Sequence, residues 1–69
     1  MTAATSTRRA LSELSTDERE TVWAKLSAVP RIAESEGYER WEIREQVSAE
    51  ARSLGVRLHT AQVRAILRE

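Results

Sequence analysis

The 69-residue sequence has no cysteine and no phenylalanine, and only one proline, one histidine, one lysine and two glycines. Without cysteine there is neither a disulfide nor a thiolate-held metal, and one histidine cannot build an all-histidine site. A domain this short buries only about 60% of the surface its unfolded chain exposes. Small scaffolds usually lean on disulfides, a metal or oligomerisation, and of these only oligomerisation is open here. No apolar stretch approaches the roughly 20 residues of a membrane span, and Met1–Thr7 lacks the apolar centre of a signal peptide. No membrane association and a cytoplasmic location are the resulting expectations. Gly37 and Gly55 are isolated, so there is no phosphate-cradling glycine loop.

Catalytic machinery is equally sparse. His59 stands alone, as a cap or surface residue of a helix start, and Ser12, Ser15, Ser48 and Ser53 have no base placed beside them by any motif. The carboxylates, Glu42 and Glu45 among them, alternate with arginines such as Arg40 and Arg44 at helical spacing, the pattern of solvated ion pairs. The expectation is a non-enzymatic protein with no cofactor, no metal and no catalytic residue.

What is present is helical. Hydrophobic residues make up 41% and charged residues 32% of the chain, a balance suited to a folded domain rather than a disordered one. Residues 1–6 read as a flexible lead and 7–69 as a single domain. A short helix is predicted over Thr7–Leu14, capped by Ser6, with Ala10, Leu11 and Leu14 on one face. Ser15 followed by Glu18 is a capping box and the firmest helix start. Val22, Leu26, Val29 and Ala33 then recur at helical spacing, with Pro30 predicted to kink or break the helix near Ala28–Val29 and to begin a new short one ending at Gly37. From Glu39 or Arg40 to Leu54, the residues Ile43, Val47, Ala51 and Leu54 form a stripe that Gly55 ends. The final helix runs from Thr60 toward Glu69, with Leu58 and Val63 placed to staple its start if His59 is the cap.

The fold class that follows is all-α, a compact bundle of four to five short helices with a C-terminal helix-turn-helix over 40–69. Its predicted core is Leu14, Val22, Trp23, Leu26, Val29, Ile32, Trp41, Ile43, Val47, Ala51, Leu54, Val56, Leu58, Val63, Ile66 and Leu67. An aromatic cluster of Trp23, Tyr38 and Trp41 is expected at its middle.

The formal net charge is zero, yet it is unevenly spread. Residues 1–50 carry seven basic and ten acidic side chains, whereas 51–69 carry Arg52, Arg57, Arg64 and Arg68 against Glu69 alone. Such a local excess can bind phosphate on a neutral molecule, or simply place cations near a helix C-terminus, where the helix dipole favours them.

Leu54-Gly55-Val56-Arg57-Leu58 followed by Val63-Arg64-Ala65-Ile66-Leu67 resembles the second helix, turn and third helix of helix-turn-helix units in insertion-sequence and mariner-like transposases and related regulators. The resemblance covers Val47 to Leu67, about a third of the chain. It implies that the glycine makes the turn, the aliphatics hold the two helices together, and the outer face of the last helix enters the major groove. Residues offered to DNA would be Thr60, Gln62, Arg64, Ala65 and Arg68, with Arg57 in the turn reaching a phosphate. Gln62 and Arg64 are suited to adenine and guanine, respectively. The chain departs from the pattern in having His59 where Ser or Thr usually starts the helix, and alanine at positions 61 and 65. No transposase chemistry is implied, because no catalytic carboxylate domain accompanies the motif. The expected function is binding of double-stranded DNA, as a transcriptional regulator or accessory factor. The alternative is a protein-interaction module or homodimer that covers an apolar stripe with a partner helix.

Overall fold

A computed structural model describes residues 8–69. Helix α1 spans Thr16–Ser35 and begins as its sequence dictates: the Ser15 hydroxyl accepts from the Glu18 N–H at 3.2 Å, and the Glu18 carboxylate accepts from the Ser15 N–H at 3.1 Å. Two of the unpaired donors at the helix start are thereby satisfied. Helix α2 spans Arg40–Ser53 and α3 spans Thr60–Leu67. Before α1 lie a two-residue strand β1, Arg9–Ala10, and one 3-10 turn over Leu11–Glu13; between α2 and α3 lies strand β2, Val56–Arg57. The strands pair in parallel, Arg9 opposite Val56 and Ala10 opposite Arg57.

The bundle of four to five helices is therefore corrected: the described residues form three α-helices with a short parallel strand pair. Two physical causes account for the difference. The first predicted helix, Thr7–Leu14, is a strand and a turn in its described part, because the Arg9 N–H donates to the Gly55 carbonyl at 3.0 Å. That partner lies far along the chain, where no local propensity registers it. The 3-10 turn still sets Leu11 and Leu14 on one side, as a three-residue spacing does, and both are buried. Arg19 then reaches back from α1, its guanidinium donating to the carbonyls of Leu11 at 3.2 Å and Leu14 at 3.1 Å. The predicted lead 1–6 and the Ser6 cap lie outside the described residues.

The second cause is Pro30, which interrupts neither α1 nor its burial. A proline inside a helix costs about 3 kcal/mol through the lost N–H and the clash with the preceding turn. Here Leu26 and Ala33 on either side are buried and Val29 packs against the same core. That burial holds both turns on one axis.

Ten residues form the core: Leu11, Leu14, Leu26, Ala33, Ile43, Val47, Ala51, Val56, Ile66 and Leu67. Val22, Trp23, Val29, Leu54, Leu58 and Val63 pack against it half-buried. Ile32 and Trp41 do not belong to it, each being 58% exposed, and Tyr38 is 44% exposed, so the expected aromatic cluster does not form. Trp41 precedes Ile43 by two positions, about 200° around a helix with 3.6 residues per turn. A helix that buries Ile43, Val47 and Ala51 therefore turns Trp41 outward.

All three helices end on a left-handed residue. Gly37 (φ 87°) follows α1 and Gly55 (φ 76°) follows α2, but Arg68 (φ 61°) follows α3. At the end of α3, the Arg68 N–H donates to the Ala65 carbonyl at 3.2 Å and the Glu69 N–H to the Arg64 carbonyl at 2.9 Å. These are the two bonds of a Schellman motif, in which glycine is the usual left-handed residue. Among the described residues, no helix is long and apolar enough to cross a membrane.

Candidate nucleic-acid interface

Helix α3 is joined to α2 by residues 54–59, with Gly55 making the turn and Val56 buried beneath it. The N-cap His59 makes no side-chain capping bond; instead its N–H donates to Gln62 Oε1 at 2.9 Å. Leu58 and Val63, the predicted staple pair, both pack half-buried against the core. Ile66 and Leu67 anchor the far end of the helix. With these positions committed inward, Thr60, Ala61, Arg64 and Ala65 are left as an exposed face of α3, and Arg68, exposed just past the helix, lines a depression with Ser27, Pro30, Arg31 and Glu34 of α1.

The structure thus brings Thr60 and Arg64 onto one face of α3, with Arg68 at its end turned toward α1. Gln62 lies elsewhere: it is half-buried, holds the His59 amide, and lines a shallow depression with Trp23 and Leu11. Arg57 is exposed at the end of β2, with Nη2 4.0 Å from Glu13 Oε1. Each partner is more than half exposed, a setting in which an ion pair contributes little.

The electrostatics divide the arginines into two groups. Arg9 pairs with Glu18 at 3.7 Å, while Arg40 and Arg44 of α2 hold the Glu69 carboxylate at 3.0 and 2.8 Å. Burial around the Glu69 carboxylate raises its pKa, but the Arg40 hydrogen bond and the Arg44 charge outweigh it and hold the group below the usual carboxylate value. Glu69 is the only acidic residue beyond Glu50, and it is engaged by α2. Arg52, Arg64 and Arg68 form no ion pair among the described residues.

Sequence reasoning missed a second basic feature beside this face. Arg8, Ser48 and Arg52 share a cleft with Val56, Leu58 and Val63. The excess of arginine after residue 50 pointed to Arg52. Arg8 could be placed there only through the long-range strand pair. Among the described residues, no group of three His, Cys, Asp or Glu side chains could hold a metal ion.

In comparisons with known proteins, no family model matches the chain, and neither the curated proteins nor the solved structures give a match.

Proposed function

We propose that α2, the Gly55 turn and α3 act as a DNA-reading helix-turn-helix, with the exposed face of α3 in the major groove. The observation that carries this reading is the outer face of α3: Thr60 and Arg64 stand exposed on it and Arg68 just beyond it, and neither arginine has an acidic partner in ion-pair distance among the described residues. Arginine is suited to guanine and phosphate alike, through its planar fork of donors. Arg68 adds support, since a left-handed backbone is easier for glycine. Keeping a guanidinium there has a conformational cost that a purely structural helix end avoids. Within this reading, Arg57 contacts phosphate once it leaves Glu13. The role is that of a regulator or accessory factor, with no catalysis of its own.

The test is fluorescence anisotropy with a labelled random duplex across a salt series. Binding should weaken with salt at a slope of about −0.9 per phosphate neutralised. Arg57→Ala should weaken all sequences alike, whereas Arg64→Ala should change which sequences are preferred, by roughly 1–3 kcal/mol per base contact. Absence of binding at low salt, or indifference to both substitutions, overturns the reading.

A protein-interaction module is the second reading, favoured by the exposure of Ile32, Tyr38 and Trp41. It expects self-association or partner binding that Trp41→Ala weakens and salt leaves largely unchanged.

A further inference from the structure

Between the flank of α2 and the start of α3 lies a cleft of about 260 Å³, space for several waters at roughly 30 Å³ each. Its aliphatic floor is small, made by half-buried Leu58 and Val63 over buried Ala51 and Val56, and Arg8, Ser48 and Arg52 complete its lining. No carboxylate lines it. Arg8 is half-buried and Arg52 exposed, and neither forms an ion pair among the described residues. The two arginines come from distant parts of the sequence. The Arg9 N–H bond to the Gly55 carbonyl fixes the chain beside β2 and so delivers Arg8 to the cleft. The two cations share one cleft with no acid among its lining residues, which leaves their donors open to an anion from outside.

We propose that this cleft seats one phosphodiester of a nucleic-acid backbone, with the phosphate between Arg8 and Arg52 and within reach of the Ser48 hydroxyl. The adjoining sugar lies over the aliphatic floor. Two guanidiniums and a hydroxyl supply donors to the two non-bridging oxygens of a phosphodiester, whose single negative charge then lies between two positive ones. The apolar floor favours an ester carrying a sugar over the free ion, whose hydration such a floor would only disturb. The cleft borders the start of α3, so a backbone phosphate held there fixes the register in which the helix presents Thr60 and Arg64. The proposal rests on the DNA-binding reading above and adds a positioning contact that α3 alone lacks.

The experiment uses the full chain and two probes, a short random DNA duplex and inorganic phosphate, followed by amide NMR shifts and a salt series. Arg8→Gln/Arg52→Gln is compared with Lys25→Gln, an exposed cation on α1, and circular dichroism checks that each variant folds. The duplex should move the amides of Ser48, Arg52 and Leu58. The double variant should bind it about tenfold more weakly, with a salt slope shallower by about 0.9, the value of one phosphate contact. Lys25→Gln should match the wild type. If the double variant keeps the wild-type affinity and slope while Arg64→Ala weakens binding, the cleft proposal is overturned and the reading of α3 stands. If the duplex does not bind but inorganic phosphate moves the same amides, and only in the wild type, the cleft is a phosphate site and the DNA reading falls. If neither probe moves those amides, the proposal is wrong.

Discussion

Helices α1 and α3 solve the same problem of staying folded by opposite means. Over its 20 residues, α1 has a reciprocal cap at Ser15, a glycine at its end and enough buried surface to carry a proline in its interior. Only eight residues long, α3 starts with half of such a cap, the Gln62 side chain on the His59 N–H without a bond from the His59 side chain, and ends on a strained arginine. An isolated helix of that length is not stable in water, so α3 depends on Ile66, Leu67 and the Glu69 contacts to α2. The comparison teaches where this chain sacrifices stability: at the helix that displays its free arginines.

The sharpest way to break the contrast is to remove the anchor. Ile66→Ala should cost about 2–5 kcal/mol in urea-induced unfolding, a large share of the stability of a domain this small; a loss below 1 kcal/mol would show that α3 does not depend on this contact. Pro30→Ala tests the tolerance of α1 from the other side. Restoring the missing hydrogen bond, less the entropy that proline removes from the unfolded chain, should raise stability by about 2 kcal/mol, and a lower melting temperature would contradict it. Ser15→Ala should cost about 1 kcal/mol, whereas His59→Ala should be nearly neutral because that side chain caps nothing. Arg68→Gly should stabilise by about 1 kcal/mol while weakening duplex binding; a gain in both would remove Arg68 from the interface.

The smallest effect is on pH. The backbone N–H and hydroxyl of Ser15, with a further contribution from Arg9, hold the Glu18 carboxyl below its ordinary value of 4.5. Glu69 is likewise lowered. Carboxyls depressed by folding stabilise the native state above their unfolded pKa, and that contribution disappears as pH falls through the folded value. The melting temperature should therefore be flat above about pH 5.5 and decline below pH 4.5. Glu18→Gln should flatten part of that decline, and an unchanged profile would discount the contact.

Much of this architecture was legible in local signals. The Ser15–Glu18 spacing, the stripe of Ile43, Val47 and Ala51, and the placement of Gly37 and Gly55 mark α1 and α2 to within a residue or two. The face of Thr60 and Arg64 follows from the burial of Ile66 and Leu67, whereas the left-handed turn that carries Arg68 toward α1 has no periodic signal. The Ile43 stripe also excludes Trp41 from the core, a phase signal that runs against its hydrophobicity. The strand pair, and with it the Arg8 half of the cleft, was not legible because a two-residue strand has no periodicity and its partner is remote. Continuity of α1 through Pro30 was hidden for a related reason: packing against other elements, rather than local preference, decides it.

The pairing of Arg9 with Gly55 has a kinetic consequence. Contacts between α1 and α2 join neighbouring stretches of chain, whereas the β1–β2 ladder closes a loop containing both helices, and loop closure grows costlier with the chain enclosed. The segment from Arg8 to Leu14 should accordingly dock last during folding and detach first, by sub-global opening rather than complete unfolding. Amide exchange at Arg9 should be faster than at Leu26, and equal rates would mean that the arm and helices open as one unit. Each opening would release Arg57 from Glu13 and withdraw Arg8 from the cleft, coupling the lifetime of the docked arm to the basic surface available at any instant.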